Sequence, residues 1–175
     1  AQCFKQNLVL HEASAGVELH CCGLMDNIHA AEGSMDITYY PNMPGNSTFH
    51  PKEKVDLQQH NMKPELFVGA EVMKCPVTTL SALLDEYHPD IKKIDVLKVD
   101  TEGAELEVLN GISDEYWKII RQVVVEVHNV NNRVDKIMRL LQSKEFVGTT
   151  AEAQEFDSRV WLVWGVRKKE HEVQN

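Results

Sequence analysis

Lys98, Asp100, Glu102, Glu126 and His128 are the residues of this chain whose types and spacing can do chemistry. Asp100 and Glu102 end the apolar run in Ile94-Asp-Val-Leu-Lys-Val-Asp-Thr-Glu-Gly-Ala-Glu-Leu-Glu-Val-Leu-Asn-Gly111, which then turns through Gly103 into an amphipathic helix. Glu126 and His128 close the run Gln122-Val-Val-Val-Glu-Val-His128 in the same manner. Open α/β sheets place their ligand sites at the carboxyl ends of strands. Side chains alternate along a strand, so Lys98 and Asp100 share a face, Glu102 follows where the strand leaves the sheet, and Glu126 shares a face with His128. Parallel neighbours joined by the helical crossover 103–120 would bring Asp100 and His128 close together. A neutral imidazole beside carboxylates then suits the task of a general base toward a hydroxyl.

Each position also has a purely structural reading. Asp100 and Glu102 suit a helix N-terminus, Lys98 can neutralise Glu126 within the sheet, and His128 can end a strand exposed to solvent. Five ionisable groups at two successive strand ends shift the balance toward a site. Asp100, Glu126 and His128 could instead hold a divalent ion for hydrolysis, but no H-E-x-x-H pair supports a metal, which ranks below general-base chemistry. No G-x-G-x-x-G and no P-loop is present, so the chain supplies no phosphate cradle. The remaining histidines, His11, His20, His29, His50, His60, His88 and His171, fall in polar segments and read as solvent-facing.

The elements that must position these groups follow from periodicity. Phe4 and Leu8 predict a short helix, and residues 17–22 alternate as a strand followed by a loop over 23–27. Residues 35–40 form a second strand stopped by Pro41, and 41–51, with three prolines, is irregular. Residues 52–70 are polar and unpatterned, a surface excursion or lid. Thr78 or Thr79 caps a helix through Leu80, Leu83, Leu84 and Tyr87, ended by Pro89. The strand 94–99 is apolar on both faces, as buried parallel strands are. Asn110-Gly111 stops the helix after Gly103, and Tyr116, Trp117 and Ile120 mark another helical stretch. Val134, Ile137, Met138 and Leu141 fall at i, i+3, i+4 and i+7, a helix with one face on the sheet. Segments 146–150 and 159–166 close the chain as an antiparallel strand pair within a mainly parallel α/β sheet.

A length of 175 residues fits one domain over 1–175 with a single core, and 43% hydrophobic with 26% charged residues is ordinary for a soluble fold. No apolar run approaches the roughly 18 residues a membrane span needs. A net charge of −9 argues against nucleic acid and anionic lipid as partners. Arg167, Lys168 and Lys169 form a compact basic cluster that reads as a solvated tail. The four cysteines show no C-x-x-C spacing, which fits free thiols in a reducing, cytoplasmic compartment. Oligomeric state has no signature in the sequence.

The segment 94–111, the run Val123-Val-Val-Glu-Val-His128, the preceding Val77-Thr-Thr-Leu80 and the earlier Tyr39-Tyr-Pro with Gly45-Asn-Ser47 resemble the FkbM-type methyltransferases, in that family's order and across roughly Phe4 to Val166. The resemblance implies a class I methyltransferase fold: a Rossmann-like, mostly parallel sheet with helices on both faces and an antiparallel C-terminal strand pair. It also implies S-adenosyl-L-methionine as cofactor and transfer of methyl to a hydroxyl of a small metabolite, sugar or polyketide-like acceptor. Asp26 would then lie near the adenine. Asp100 would lie beside the methionine end and the incoming hydroxyl, with Glu102 and Gly103 also against the cofactor. Glu126 and His128 would face the acceptor, with His128 as base, and the Asn46-Ser47 loop would close over it.

The family's glycine-rich loop and the acidic residue ending its second strand have no counterpart here, and the chain reads as starting in the helix after that strand. Missing central strands would leave unpaired sheet edges. A non-catalytic remnant used for protein association is therefore the alternative from another class, and a metal-dependent hydrolase the third. Calorimetric titration of this polypeptide with S-adenosyl-L-methionine is expected to show weak or no binding. Tight one-to-one binding would contradict that expectation.

Overall fold

The computed structural model describes residues 2–11, 16–54, 64–155 and 159–167. Their strands form two sheets. In the first, β1 (Gly23–Leu24) pairs in parallel with β3 (Glu71–Thr78), whose other edge pairs antiparallel with β2 (Ser34–Tyr39). In the second, β4 (Leu97–Val99) pairs in parallel with β5 (Gln122–His128). Antiparallel pairing then joins β5 to β7 (Val160–Arg167) and β7 to β6 (Phe146–Ala153). The helices are α1 (Gln2–Leu10), α2 (Asn27–Ala30), α3 (51–54), α4 (Leu80–Tyr87), α5 (Glu105–Asn110), α6 (Asp114–Ile119) and α7 (Arg133–Ser143).

The expected α/β class and the antiparallel closing pair are present. The expected mainly parallel sheet is not, because antiparallel pairings outnumber parallel ones among the described strands. The strand expected over 17–22 shrinks to β1, starting at Gly23. Residues 17–19 are exposed, with no ladder partner to hold them extended. The strand expected over 94–99 keeps three residues, and Val96 and Lys98 are exposed rather than covered on both faces. Most of β3 is exposed, and Pro76, which cannot donate to a ladder, hides it from a reading by pattern. Arg167 is not part of a solvated tail: it ends β7, donates to the carbonyls of Ile120 (3.0 Å) and Trp117 (2.7 Å), and lies over the Phe146 ring. Lys168 and Lys169 lie outside the described residues, as do residues 55–63 of the 52–70 excursion.

The core forms where the apolar face of the second sheet meets the helices. Val123, Val125 and Val127 of β5 and Val163 of β7 are fully buried against Leu109 of α5, Trp117 of α6 and Ile137 and Leu141 of α7. The i, i+3, i+4, i+7 pattern of α7 thus produces the intended face, each large aliphatic contributing about 2 kcal/mol. Thr79 caps α4 through a bond from the Ala82 amide (3.0 Å). A smaller cluster of Met25, Val77 and Ala104 lies beside the first sheet. Cys21, Cys22 and Cys75 are free thiols. None of the described helices is long and apolar enough to cross a membrane.

Gly111 is where the region after β1 meets the end of α5. A Cβ there would lie 2.1 Å from the Met25 carbonyl oxygen, a backbone atom that cannot swing aside. Gly111→Ala is expected to cost about 2 kcal/mol or more. Gly45→Ala, with nothing within 4 Å of the added carbon, should stay within about 0.5 kcal/mol of the parent. Urea unfolding midpoints of the two variants check this.

Candidate active site

The parallel register of β4 on β5 sets Val99 opposite Val125, so the chain leaves both strands at the same edge of the sheet. After β4 the backbone turns sharply, with Glu102 at φ 51° and Gly103 at φ 114°. A non-glycine residue in the left-handed region costs on the order of 1 kcal/mol, and such strain gathers at functional sites. Here the turn swings the Glu102 carboxylate back over the end of β5. Glu102 Oε2 lies 3.2 Å from His128 Nε2 and takes a hydrogen bond from Lys54 Nζ.

On the other side of the ring, His128 Nδ1 is 3.3 Å from Glu105 Oε1. Glu105 is fully buried at the start of α5 and also accepts the Gly103 amide at 2.7 Å. Arg133, at the start of α7, donates to the His128 carbonyl (2.8 Å) and to Glu53 (2.8 Å), and sits 3.6 Å from Glu105. Three carboxylates (Glu53, Glu102, Glu105) thus face Lys54, Arg133 and the His128 ring in one buried cluster. The carboxylates on both sides of the ring favour its charged form.

Burial alone would discharge His128, but its hydrogen bonds to Glu102 and Glu105 outweigh that cost and push its pKa up to about 9. Burial would likewise raise the Glu102 carboxyl, and bonds from His128 and Lys54 overcome it and hold the group below its usual range. The neutral imidazole expected from the sequence is therefore not what these surroundings produce. Both ring nitrogens face a carboxylate, which favours the charged form of the ring.

Asp100 pairs with Lys98 at 2.6 Å, and of the carboxylates that follow β4 it is Glu102 that reaches His128. Glu126 is half-buried, and burial followed by the like charge of Asp100 raises its carboxyl. Asp26 caps α2, accepting the His29 amide (2.9 Å) and meeting its ring nitrogen at 2.8 Å. Those bonds outweigh burial and lower its carboxyl. Among the described residues, Asp100, Glu126 and His128 do not converge as a three-ligand metal set, so the hydrolase alternative lacks its coordination sphere.

Several residues of this cluster escaped the sequence reading. Lys54 and Glu53 come from a polar stretch with no pattern, and Arg133 from a loop-to-helix junction. His50, expected in solvent, is only about a quarter exposed and lies 3.4 Å from Glu107. Its contact with Glu107 raises the imidazole against the opposing effect of burial. Thr48 donates to the Glu102 carbonyl at 2.6 Å and pins segment 48–54 to the turn. His50 Nε2, Thr101 Oγ1, Glu105 Oε2 and Glu107 Oε2 are buried with no hydrogen-bond partner among the described residues.

Comparison with known sequences gives the class of this α/β chain. The Methyltransferase FkbM domain profile matches residues 9–147, and the chain belongs to that family. It is 40% identical over 154 residues to "Methyltransferase sdnD" of Sordaria araneosa, covering 81% of this chain and 58% of that protein. It is 37% identical over 147 residues to "Methyltransferase 1" of Beauveria bassiana, covering 82% and 57%. To "31-O-demethyl-FK506 methyltransferase FkbM" of Streptomyces tacrolimicus it is 30% identical over 161 residues, covering 81% and 57%. The chain therefore spans a little under three-fifths of the length of these relatives. No solved structure matches it.

The raised His128 pKa has a signed consequence for stability. A histidine with an unfolded value near 6.5 and a folded value near 9 stabilises the fold fully below about pH 6.5 and loses that contribution as pH rises through 9. The loss is on the order of 2 to 3 kcal/mol between pH 6 and 10. His128→Gln should flatten this part of the profile, as urea unfolding at stepped pH would show.

Proposed function

We propose that this chain carries the acceptor side of a methyltransferase that moves a methyl group from S-adenosyl-L-methionine to a hydroxyl of a small metabolite, sugar or polyketide-like acceptor. The observation that supports it most is the parallel β4–β5 pairing, which lines Asp100, Glu126 and the Glu102–His128 pair along one sheet edge in a chain of this family. The relative from Streptomyces tacrolimicus carries an O-demethyl substrate in its name, which favours oxygen as the accepting atom.

The residues fit a cationic cofactor. Burial, and after it the like charge of Asp100, raises the Glu126 carboxyl, and a sulfonium or ammonium group near the pair would relieve the repulsion between them. S-adenosyl-L-methionine, when bound, supplies an already electrophilic methyl group. Asp100, Glu102 and Gly103 would hold its methionine end, and Asp26 would lie toward its adenine. Glu107 Oε2 and Thr101 Oγ1, which have no hydrogen-bond partner among the described residues, offer bonding capacity for hydroxyls of the acceptor.

The protein's task is alignment and proton removal. Holding the hydroxyl oxygen in line with the methyl carbon removes much of the entropic barrier. His128, held between Glu102 and Glu105 in surroundings that favour its charged form, positions the turn and is poorly suited to accept a proton. The hydroxyl proton therefore passes to a carboxylate, and Glu126, raised by burial and by Asp100, is closer to the operating pH than an ordinary one.

Activity assays with labelled S-adenosyl-L-methionine and a panel of hydroxylated metabolites, run on an intact enzyme that carries this chain together with the family's glycine-rich cofactor loop, test this. Glu126→Gln is expected to lower kcat about a hundredfold with little change in KM. His128→Gln should lower activity together with stability. Full turnover in Glu126→Gln, with loss confined to His128→Gln, would return the base role to the histidine. No methyl transfer to any hydroxylated acceptor would overturn the reading.

A further inference from the structure

Away from this edge, two imidazoles and a carboxylate meet on the surface. His88 follows the last turn of α4, its amide bonded to the Leu84 carbonyl at 2.7 Å. Glu18 and His20 lie on the irregular stretch before β1. His88 Nε2 is 3.1 Å and His20 Nε2 3.4 Å from the same oxygen, Glu18 Oε2, and one ligand atom from each residue lies within 4.8 Å of the others.

Tetrahedral zinc with bonds of about 2.0–2.1 Å holds its ligand atoms about 3.3 Å apart, close to these two separations. The His20 ring also packs against Tyr87, with centroids 4.4 Å apart, which restricts its orientation. The carboxyl end of α4 adds a field that favours a cation. Two imidazole nitrogens and one carboxylate oxygen select a borderline ion such as zinc over calcium or magnesium, which take oxygen ligands.

We propose that Glu18, His20 and His88 form a three-ligand site for a divalent transition metal, best matched by zinc, with its fourth position open to water. A bound ion would tie the stretch before β1 to the end of α4. This site is independent of the methyltransferase reading and touches none of its residues.

Titration of metal-free protein with zinc chloride, followed by calorimetry, tests it. One zinc per chain is expected, with a rise in thermal midpoint at saturating metal and no competition from magnesium. Affinity should fall at least about tenfold in each of Glu18→Gln, His20→Gln and His88→Gln, and stay unchanged in His11→Gln. Cobalt in the same site should show no thiolate charge-transfer band, which separates it from Cys21 and Cys22. No saturable binding, equal affinity in the parent and the three ligand variants, or a thiolate band would each overturn the proposal. Far-UV circular dichroism of the variants confirms that any loss is not unfolding.

Discussion

The imidazolium of His128, held between Glu102 and Glu105, is the interaction on which the rest of the site depends. A buried carboxylate such as Glu105 survives only with partners, and removing one partner of a buried pair typically costs about 3 to 5 kcal/mol. Here the partners come from four places in the chain. Segment 48–54 brings Lys54 and Glu53, the turn after β4 brings Glu102, β5 ends in His128, and α7 opens with Arg133. The cluster is thus both a clamp on the fold and the wall of the proposed pocket.

That dual role explains the strain at Glu102. A relaxed turn would let the chain enter α5 with the carboxylate pointing outward, where it would cap a helix and nothing more. The left-handed conformation, followed by Gly103, instead carries the carboxylate over the strand end, and Thr48 fixes the turn from the opposite side. Lys54 and His128 then hold the carboxylate ionised in a buried place. Asp100, by contrast, pairs with Lys98, and burial followed by the like charge of Asp100 raises Glu126.

Much of this was legible in the sequence because local pattern decides it. The valines of β5 alternate with Val124, Glu126 and His128, the apolar stripe of α7 repeats at helical spacing, and Thr79 is a cap by type and position. The turn chemistry of Glu102-Gly103 marked the site. What stayed hidden depends on distant contacts. Nothing in the residues around Lys54 or His50 says that they will be buried against residues some fifty positions away, because no local period encodes that contact. The two-sided setting of His128 is hidden for the same reason: its second carboxylate, Glu105, sits on the helix after the turn and shows as a partner only once α5 is placed. β3 was lost to Pro76 and to a mostly exposed face, which leave little hydrophobic signal.

The charge state of His128 can be read directly. Nitrogen-15 spectra of ring-labelled protein across pH 5 to 11 would follow both ring nitrogens. The account predicts a doubly protonated ring at pH 7 that titrates near 9. A ring that is neutral at pH 7, or that titrates at or below about 6.5, would contradict the clamp and restore His128 as a free base.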